Sequence, residues 1–251
     1  MTSVTDEFVI KTLGLTKEFQ GFKAVSGVDL QVRRGSIHAM IGPNGAGKST
    51  VFNLLTRFLT VTSGKIFFNG KDITRDDPAD IATRGLVRSF QISSTFGHLS
   101  VRENVRIALQ RPLNLHYDFW RSDRCLEGLS DKVDELITAV GLQDFRTHTA
   151  SDLSYGRKRA LEFATTLALN PQVMLLDEPM AGLGREDIER IMTLIREAAV
   201  GRTVLMVEHN LKVVEDLSDW ITVLARGQIL AEGSYIEVSA NPQVRTAYIG
   251  A

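Results

Sequence analysis

The chain has 251 residues, with 29 Lys plus Arg against 30 Asp plus Glu and a formal net charge of −1, so it lacks the basic surface field that dominates nucleic-acid binding. Hydrophobic residues make up 43% and charged residues 24%, a globular balance that excludes both disorder and a membrane-embedded chain. The single cysteine, Cys125, excludes an internal disulfide and points to a reducing compartment. The opening residues lack the positive start and apolar run of a signal peptide, and the longest uncharged stretch, 163–176, is interrupted at Asn170-Pro171, so no bilayer-spanning segment is expected.

In chain order, short β segments are expected at 8–15, 28–32, Ile37–Ile41 and 66–68, punctuated by Gly21, Gly35 and Gly70. Between them, Val51, Leu54, Leu55 and Phe58 fall at helical spacing and give the segment after Gly47 one apolar face. From residue 91 to 170 the β signal fades. There Val133, Leu136, Ile137 and Val140 mark a helix, with Ser130 or Asp131 as its N-cap and Gly141 at C′. The piece 114–131, bearing His116, Tyr117, Phe119 and Trp120, reads as a loop or short helix. The last third begins with an apolar run at 173–176, a helix carrying Ile188, Ile191, Met192 and Ile195, and the strand Thr203–Val207. This is a β-α-β unit with parallel strands. A hairpin follows, 221–225 and 228–231 around Arg226-Gly227. The length therefore resolves as one α/β core interrupted by a helical insert.

Gly42-Pro43-Asn44-Gly45-Ala46-Gly47-Lys48-Ser49 fits G-x-x-x-x-G-K-[ST], after an apolar strand and before the amphipathic helix, with Thr50 following. Glycines let successive N–H groups face phosphate oxygens, and the helix start adds partial positive charge. Lys48 is expected to reach the β- and γ-phosphates of a nucleoside triphosphate, and the Ser49 hydroxyl to ligate Mg²⁺. The strand at 173–176 runs into Asp177-Glu178, two carboxylates at the carboxyl edge of a parallel sheet. Asp177 is assigned to Mg²⁺, and Glu178 to orienting and deprotonating the attacking water. His209 ends the next strand at the same edge, where it can donate to the γ-phosphate. His38, His98, His116 and His148 have no such placement and read as structural or surface residues.

Leu153-Ser154-Tyr155-Gly156-Arg157 opens a further helix, with Leu161, Ala164, Leu167 and Ala168 on its apolar face. Ser154 is a good N-cap, and Gly156 leaves the backbone bare for an anion. Arg157, Lys158 and Arg159 fall in the turn where the helix dipole disfavours cations. Either a phosphate joins them there or they point into solvent.

Taken in order, the phosphate loop, Gln91, Leu-Ser-Tyr-Gly-Arg, Leu-Leu-Asp-Glu-Pro and His209 resemble the nucleotide-binding subunit of an ABC transporter over nearly the whole chain. The resemblance implies a P-loop α/β fold with an antiparallel β lobe and an inserted α-helical lobe, the core being 1–90 and 171–251 and the lobe 91–170. It also implies a head-to-tail dimer with a second ATPase subunit, itself or a paralogue. ATP would lie between the phosphate loop of one copy and Ser154 and Gly156 of the other. Gln91 matches the glutamine that senses Mg²⁺ and the attacking water, and Phe19 falls where the family places an adenine-stacking aromatic. Its other reading is a strand-core phenylalanine.

Three positions depart from the pattern. Tyr155 replaces a common Gly, Arg157 replaces Gln or Glu and cannot complete a capping box, and Gly184 stands where Asp or Asn is usual. The Tyr-Gly variant, the extra segment 113–130 and the Ala-Tyr-Ile-Gly ending at 247–250 resemble the larger ATPase of branched-chain or hydrophobic amino-acid importers. That implies separate permeases, which would meet the lobe near Phe96 and Leu99, an indirect link to a periplasmic binding protein, and a peripheral place on the cytoplasmic face of a bacterial inner membrane. Urea or amide importers and soluble ABC ATPases of assembly or repair complexes remain alternatives, as does a binding subunit with degraded catalysis.

Overall fold

The computed structural model describes residues 7–89, 95–110 and 129–249. By internal contacts the chain divides into two compact units: Met1–Arg88 with Gln172–Pro179 and Ala199–Ala251, and Ser89–Pro171 with Met180–Ala198.

The first unit holds two sheets. In the antiparallel one, β1 (Phe8–Phe19) pairs with β2 (Phe22–Val28), β3 (Gln31–Arg33) and β5 (Ser63–Phe68), and β6 (Lys71–Asp72) pairs with β5. The second sheet runs β11-β10-β4-β9-β8-β7, built from β4 (Ile37–Ile41), β7 (Leu86–Ser89), β8 (Val173–Asp177), β9 (Thr203–Val207), β10 (Trp220–Ala225) and β11 (Gln228–Gly233). Here β10, β4, β9 and β8 are parallel neighbours. β4, β8 and β9 are buried along their whole length, which is why they read as unbroken apolar runs rather than alternating ones. Helix α1 (Lys48–Leu55) contributes Val51, Phe52, Leu54 and Leu55 to a core shared with Leu15, Val25 and Ile66 of the antiparallel sheet and Val173, Leu175, Leu205 and Val207 of the parallel one. The shorter helices are α2 (Pro78–Thr83), α7 (Leu211–Leu217), α8 (Tyr235–Ala240) and α9 (Pro242–Ile249).

Local chemistry shifts several expected boundaries. The strand expected at 28–32 is two strands, because the Thr12 hydroxyl donates to Val28 O and accepts from Leu30 N, holding the chain open between β2 and β3. The helix after Gly47 stops at Leu55: Thr56 returns its hydroxyl to Phe52 O and Arg57 turns left-handed at φ 61°. Phe58 is therefore off the helix and 55% exposed, not part of its apolar face. The hairpin at Arg226-Gly227 has positive φ at both residues, the conformation that matches the twist of a two-residue hairpin.

The second unit is helical, with α3 (Val101–Gln110), α4 (Ser130–Ala139) and α5 (Tyr155–Ala168) packed against one another, and α6 (Arg185–Ala199). Leu129, not Ser130 or Asp131, is the N-cap of α4, and no side chain caps it. Its other end is as expected: Gly141 has φ 66° and donates to Thr138 O, and Leu142 N donates to Ile137 O. The Arg190 guanidinium, from α6, donates to Val140 O and Gly141 O, placing a cation on the negative end of α4.

Candidate nucleotide-binding and hydrolytic site

The loop 42–47 links β4 to α1, and its geometry demands glycine. A Cβ on Gly42 would lie 2.1 Å from Leu224 O, and one on Gly47 would lie 2.6 Å from Ala24 O. Gly227 is a supporting residue that its sequence does not advertise. Its N–H donates to Ala46 O and its carbonyl accepts from Ser26 N, so the β10–β11 turn braces the loop. Lys48 is buried, and its ammonium donates to the carbonyls of Gly42 at 2.6 Å and Pro43 at 3.0 Å. Burial pushes that ammonium's pKa down, while Glu178 and then Asp177 oppose the shift. The loop thus curls around a cation that lies in the field of two carboxylates.

Asp177 closes β8, opposite Val207 of β9. Glu178 follows with its N–H donating to Val207 O at 3.0 Å and a left-handed φ of 46°. Gln20, Arg57, Asn69, Asn170 and Arg226 share that conformation, each at or near the end of a strand or helix; Glu178 adopts it at the carboxyl end of β8, beside Asp177. Such strain costs on the order of 1–3 kcal/mol and is characteristic of functional sites. His209 lies two residues beyond Val207 and is exposed, so Asp177, Glu178 and His209 leave the carboxyl ends of two adjacent parallel strands. Glu208 is fully buried and accepts from His209 N at 3.1 Å, and Asn210 caps α7, so His209 sits between two fixed neighbours. Neither Glu208 nor Asn210 carries a motif that would have singled it out.

Arg88 is the residue that sequence reasoning missed most plainly. From β7 it donates to Asp177 Oδ2 at 2.5 Å and to Asn53 Oδ1 at 2.5 Å. No local pattern around Arg88 announces these partners, which lie 89 and 35 residues away.

Phe19 ends β1 as a residue 42% exposed, with the Lys17 ammonium 5.0 Å from its ring centre, so the strand-core reading is wrong. Phe22, beyond the Gln20-Gly21 turn, is still more exposed. Gln91 and most of the 113–130 segment lie outside the described residues.

Ser154 and Gly156 belong to the second unit. Ser154 occupies the N-cap position of α5, yet its hydroxyl makes no capping bond. Tyr155 donates its hydroxyl to Ala181 O at 3.2 Å, and its ring covers Gly182. A Cβ on Gly156 would lie 2.3 Å from the Asp187 carboxyl carbon. Arg157 and Arg159 are half-buried rather than pointing into solvent. Arg157 stacks 4.0 Å over the Phe145 ring, and Arg159 donates to Glu162 at 2.8 Å in a buried pair.

Residues 25–181 match the model of the ABC transporter family. The chain belongs to the ABC transporter family. As a member it is an ATP-binding, ATP-hydrolysing subunit of that class, with the P-loop α/β fold described above. Residues 228–251 of this cassette also match a branched-chain amino acid ATP-binding cassette transporter model. It is 37% identical to the high-affinity branched-chain amino acid transport ATP-binding protein BraF of Pseudomonas aeruginosa, over 96% of this chain and 98% of that one. It is 35% identical to LivG of Escherichia coli, a protein of the same description, over 94% and 96%. Among solved structures it resembles the ADP conformation of MJ1267, an ATP-binding cassette of an ABC transporter, with TM-score 0.84, 32% identity and coverage of 98% and 100%. No helix among the described residues is long and apolar enough to cross a membrane.

Proposed function

We propose that this cassette powers uptake of branched-chain amino acids, docked on separate permease chains at the cytoplasmic face of the inner membrane. The observation that carries the substrate class is the match of residues 228–251, joined to near full-length similarity to BraF and LivG. In this reading 1–90 and 171–251 form the α/β core and 91–170 the helical lobe. The exposed Phe96, whose N–H and carbonyl are both held by the buried Asn104, and the half-buried Leu99 receive the permease.

The chemistry follows from the first unit's edge. The amides of Gly45 and of Gly47 to Thr50 cradle the β- and γ-phosphates, Lys48 moves its ammonium from the loop carbonyls to them, and Phe19 stacks on adenine. Ser49 and Asp177 offer hard oxygen donors suited to Mg²⁺, which when bound neutralises phosphate charge. Glu178 takes a proton from water as the water oxygen bonds to the γ-phosphorus and the bond to the bridging oxygen breaks, releasing ADP. His209 donates to the γ-phosphate, and Gln91 orients the water. Ser154 and Gly156 of a second cassette close over the same nucleotide, so hydrolysis is tied to dimer opening.

The test is reconstitution of the purified chain with its permeases, partner ATPase and binding protein in vesicles. Stimulation of ATPase activity by leucine, isoleucine or valine is expected. Stimulation by urea or amides instead would transfer the substrate assignment, and hydrolysis indifferent to every permease would refute the import reading. Replacing Phe96 or Leu99 with a charged residue should abolish permease capture in a pull-down.

A further inference from the structure

Arg88 bridges the two elements that carry the proposed metal-binding groups. One arm of its guanidinium donates to Asn53 Oδ1 and the other to Asp177 Oδ2, each at 2.5 Å. Its side chain is 12% exposed and that of Asp177 is 3% exposed, and its Cζ lies 5.8 Å from the centre of the Phe52 ring. A guanidinium is a rigid planar fork, so satisfying both acceptors fixes their separation. Asn53 follows Ser49 by four residues on α1, so the two share one helix face. The fork therefore fastens the helix that presents the Ser49 hydroxyl to the strand end that presents the Asp177 carboxylate.

We propose that Arg88 is a positioning residue for the divalent metal: it sets the spacing between Ser49 and Asp177 before nucleotide arrives. The inference rests on the reading of those two residues as the Mg²⁺-binding groups. Mg²⁺ demands a near-ideal octahedron with bonds of about 2.0–2.1 Å, so its affinity is sensitive to small errors in donor spacing. Phosphate held by loop amides and Lys48 is far less so. A competing role, in which Arg88 occupies Asp177 and must be displaced by metal, fits less well. Its second arm is committed to Asn53, and both acceptors are engaged within one folded unit.

The experiment uses the full chain and a fluorescent methylanthraniloyl-ADP, titrated first in EDTA and then with Mg²⁺. In wild type, Mg²⁺ should tighten binding. In Arg88→Met the Mg²⁺ concentration for half-maximal tightening should rise about 10–100-fold, the range for losing a partner that orients a metal ligand, while affinity in EDTA stays unchanged. Arg88→Lys should not restore the wild-type value, because one ammonium cannot span both acceptors. Asn53→Ala should shift it in the same direction by less, and that variant decides the question if Arg88→Met does not fold. An unchanged or lowered Mg²⁺ midpoint would overturn the proposal, as would an equal loss with and without Mg²⁺. A wild type indifferent to Mg²⁺ would instead sink the metal reading on which it stands.

Discussion

Helices α1 and α5 both start beside glycine, and neither start is capped by a side chain. At α1 the N-cap Gly47 is left-handed and the next residue, Lys48, holds an ammonium inside the loop with Asp177 and Glu178 in its field. At α5 the N-cap Ser154 is extended, the Tyr155 hydroxyl is given to Ala181 O, and the Asp187 carboxyl crowds Gly156. Two of the three cations in that turn are engaged, Arg157 on Phe145 and Arg159 on Glu162. A helix N-terminus alone does not make a phosphate site. The first start already has a cation and a cradle, whereas in the proposed dimer the second meets a nucleotide presented by another cassette.

The largest effect expected is at the first site. Glu178→Gln keeps the shape and removes the base, so turnover should fall by about 10²–10⁴ with nucleotide binding retained. Single-turnover ATPase assays beside equilibrium binding measure both, and residual turnover near wild type would remove Glu178 from the chemistry. The matching change in the second unit, Ser154→Ala, should leave equilibrium nucleotide binding by the monomer untouched and lower turnover only where cassettes pair.

Next comes a pH dependence built into the first unit. His38 is fully buried in β4, and burial, followed by the charge of Arg33, lowers its pKa from 6.5 to about 3. Thr222 donates to Glu232, so the His38 contact to the Thr222 hydroxyl is a donation from Nε2–H. Below pH 6.5 the unfolded chain takes up a proton that the folded chain refuses. Stability present at neutral pH is therefore lost as pH falls towards 3, by about 1.4 kcal/mol per pH unit. Urea midpoints for wild type and His38→Gln at pH 7 and pH 5 should converge on acidification, and parallel curves would contradict the assignment.

Smaller effects separate a cap that is used from one that is not. Asn210 accepts from Lys212 N at 3.1 Å and Val213 N at 3.4 Å, so Asn210→Ala should cost about 1 kcal/mol. Ser154→Ala should cost less in the same chemical denaturation, since no capping bond is lost. Tyr155→Phe removes one exposed hydrogen bond and should destabilise by about 0.5–1.5 kcal/mol at most. If Ser154→Ala proves the costlier of the two caps, the contrast between the two units is drawn wrongly.

How far the site was legible depends on where its signals lie along the chain. The phosphate loop, Asp177-Glu178 and His209 are local patterns, and β9 and the β8–β9 pairing follow from continuous apolar runs. Arg88, Asn53, Gly227 and Asp187 gain their roles from partners distant in sequence, with no spacing to reveal them. Phe19 was visible as a residue, but its two readings differ only in exposure, which neighbouring strands decide. The early end of α1 before Phe58 came from a Thr56 back-bond and a left-handed Arg57, both weaker signals than apolar periodicity.

The sequence by itself determined the family and the fold class and picked out the candidate site residues, because these rest on motifs whose backbone demands are local: loop amides, strand-end carboxylates, a helix start. The tertiary structure decided which charges are paired. Arg88 was one of 29 cations until folding set it between Asn53 and Asp177, and Arg157 was open to an anion or to solvent until Phe145 lay beneath it. Ion pairs and stacking depend on distances of a few ångströms between residues far apart in the chain, and only packing of the core sets those distances.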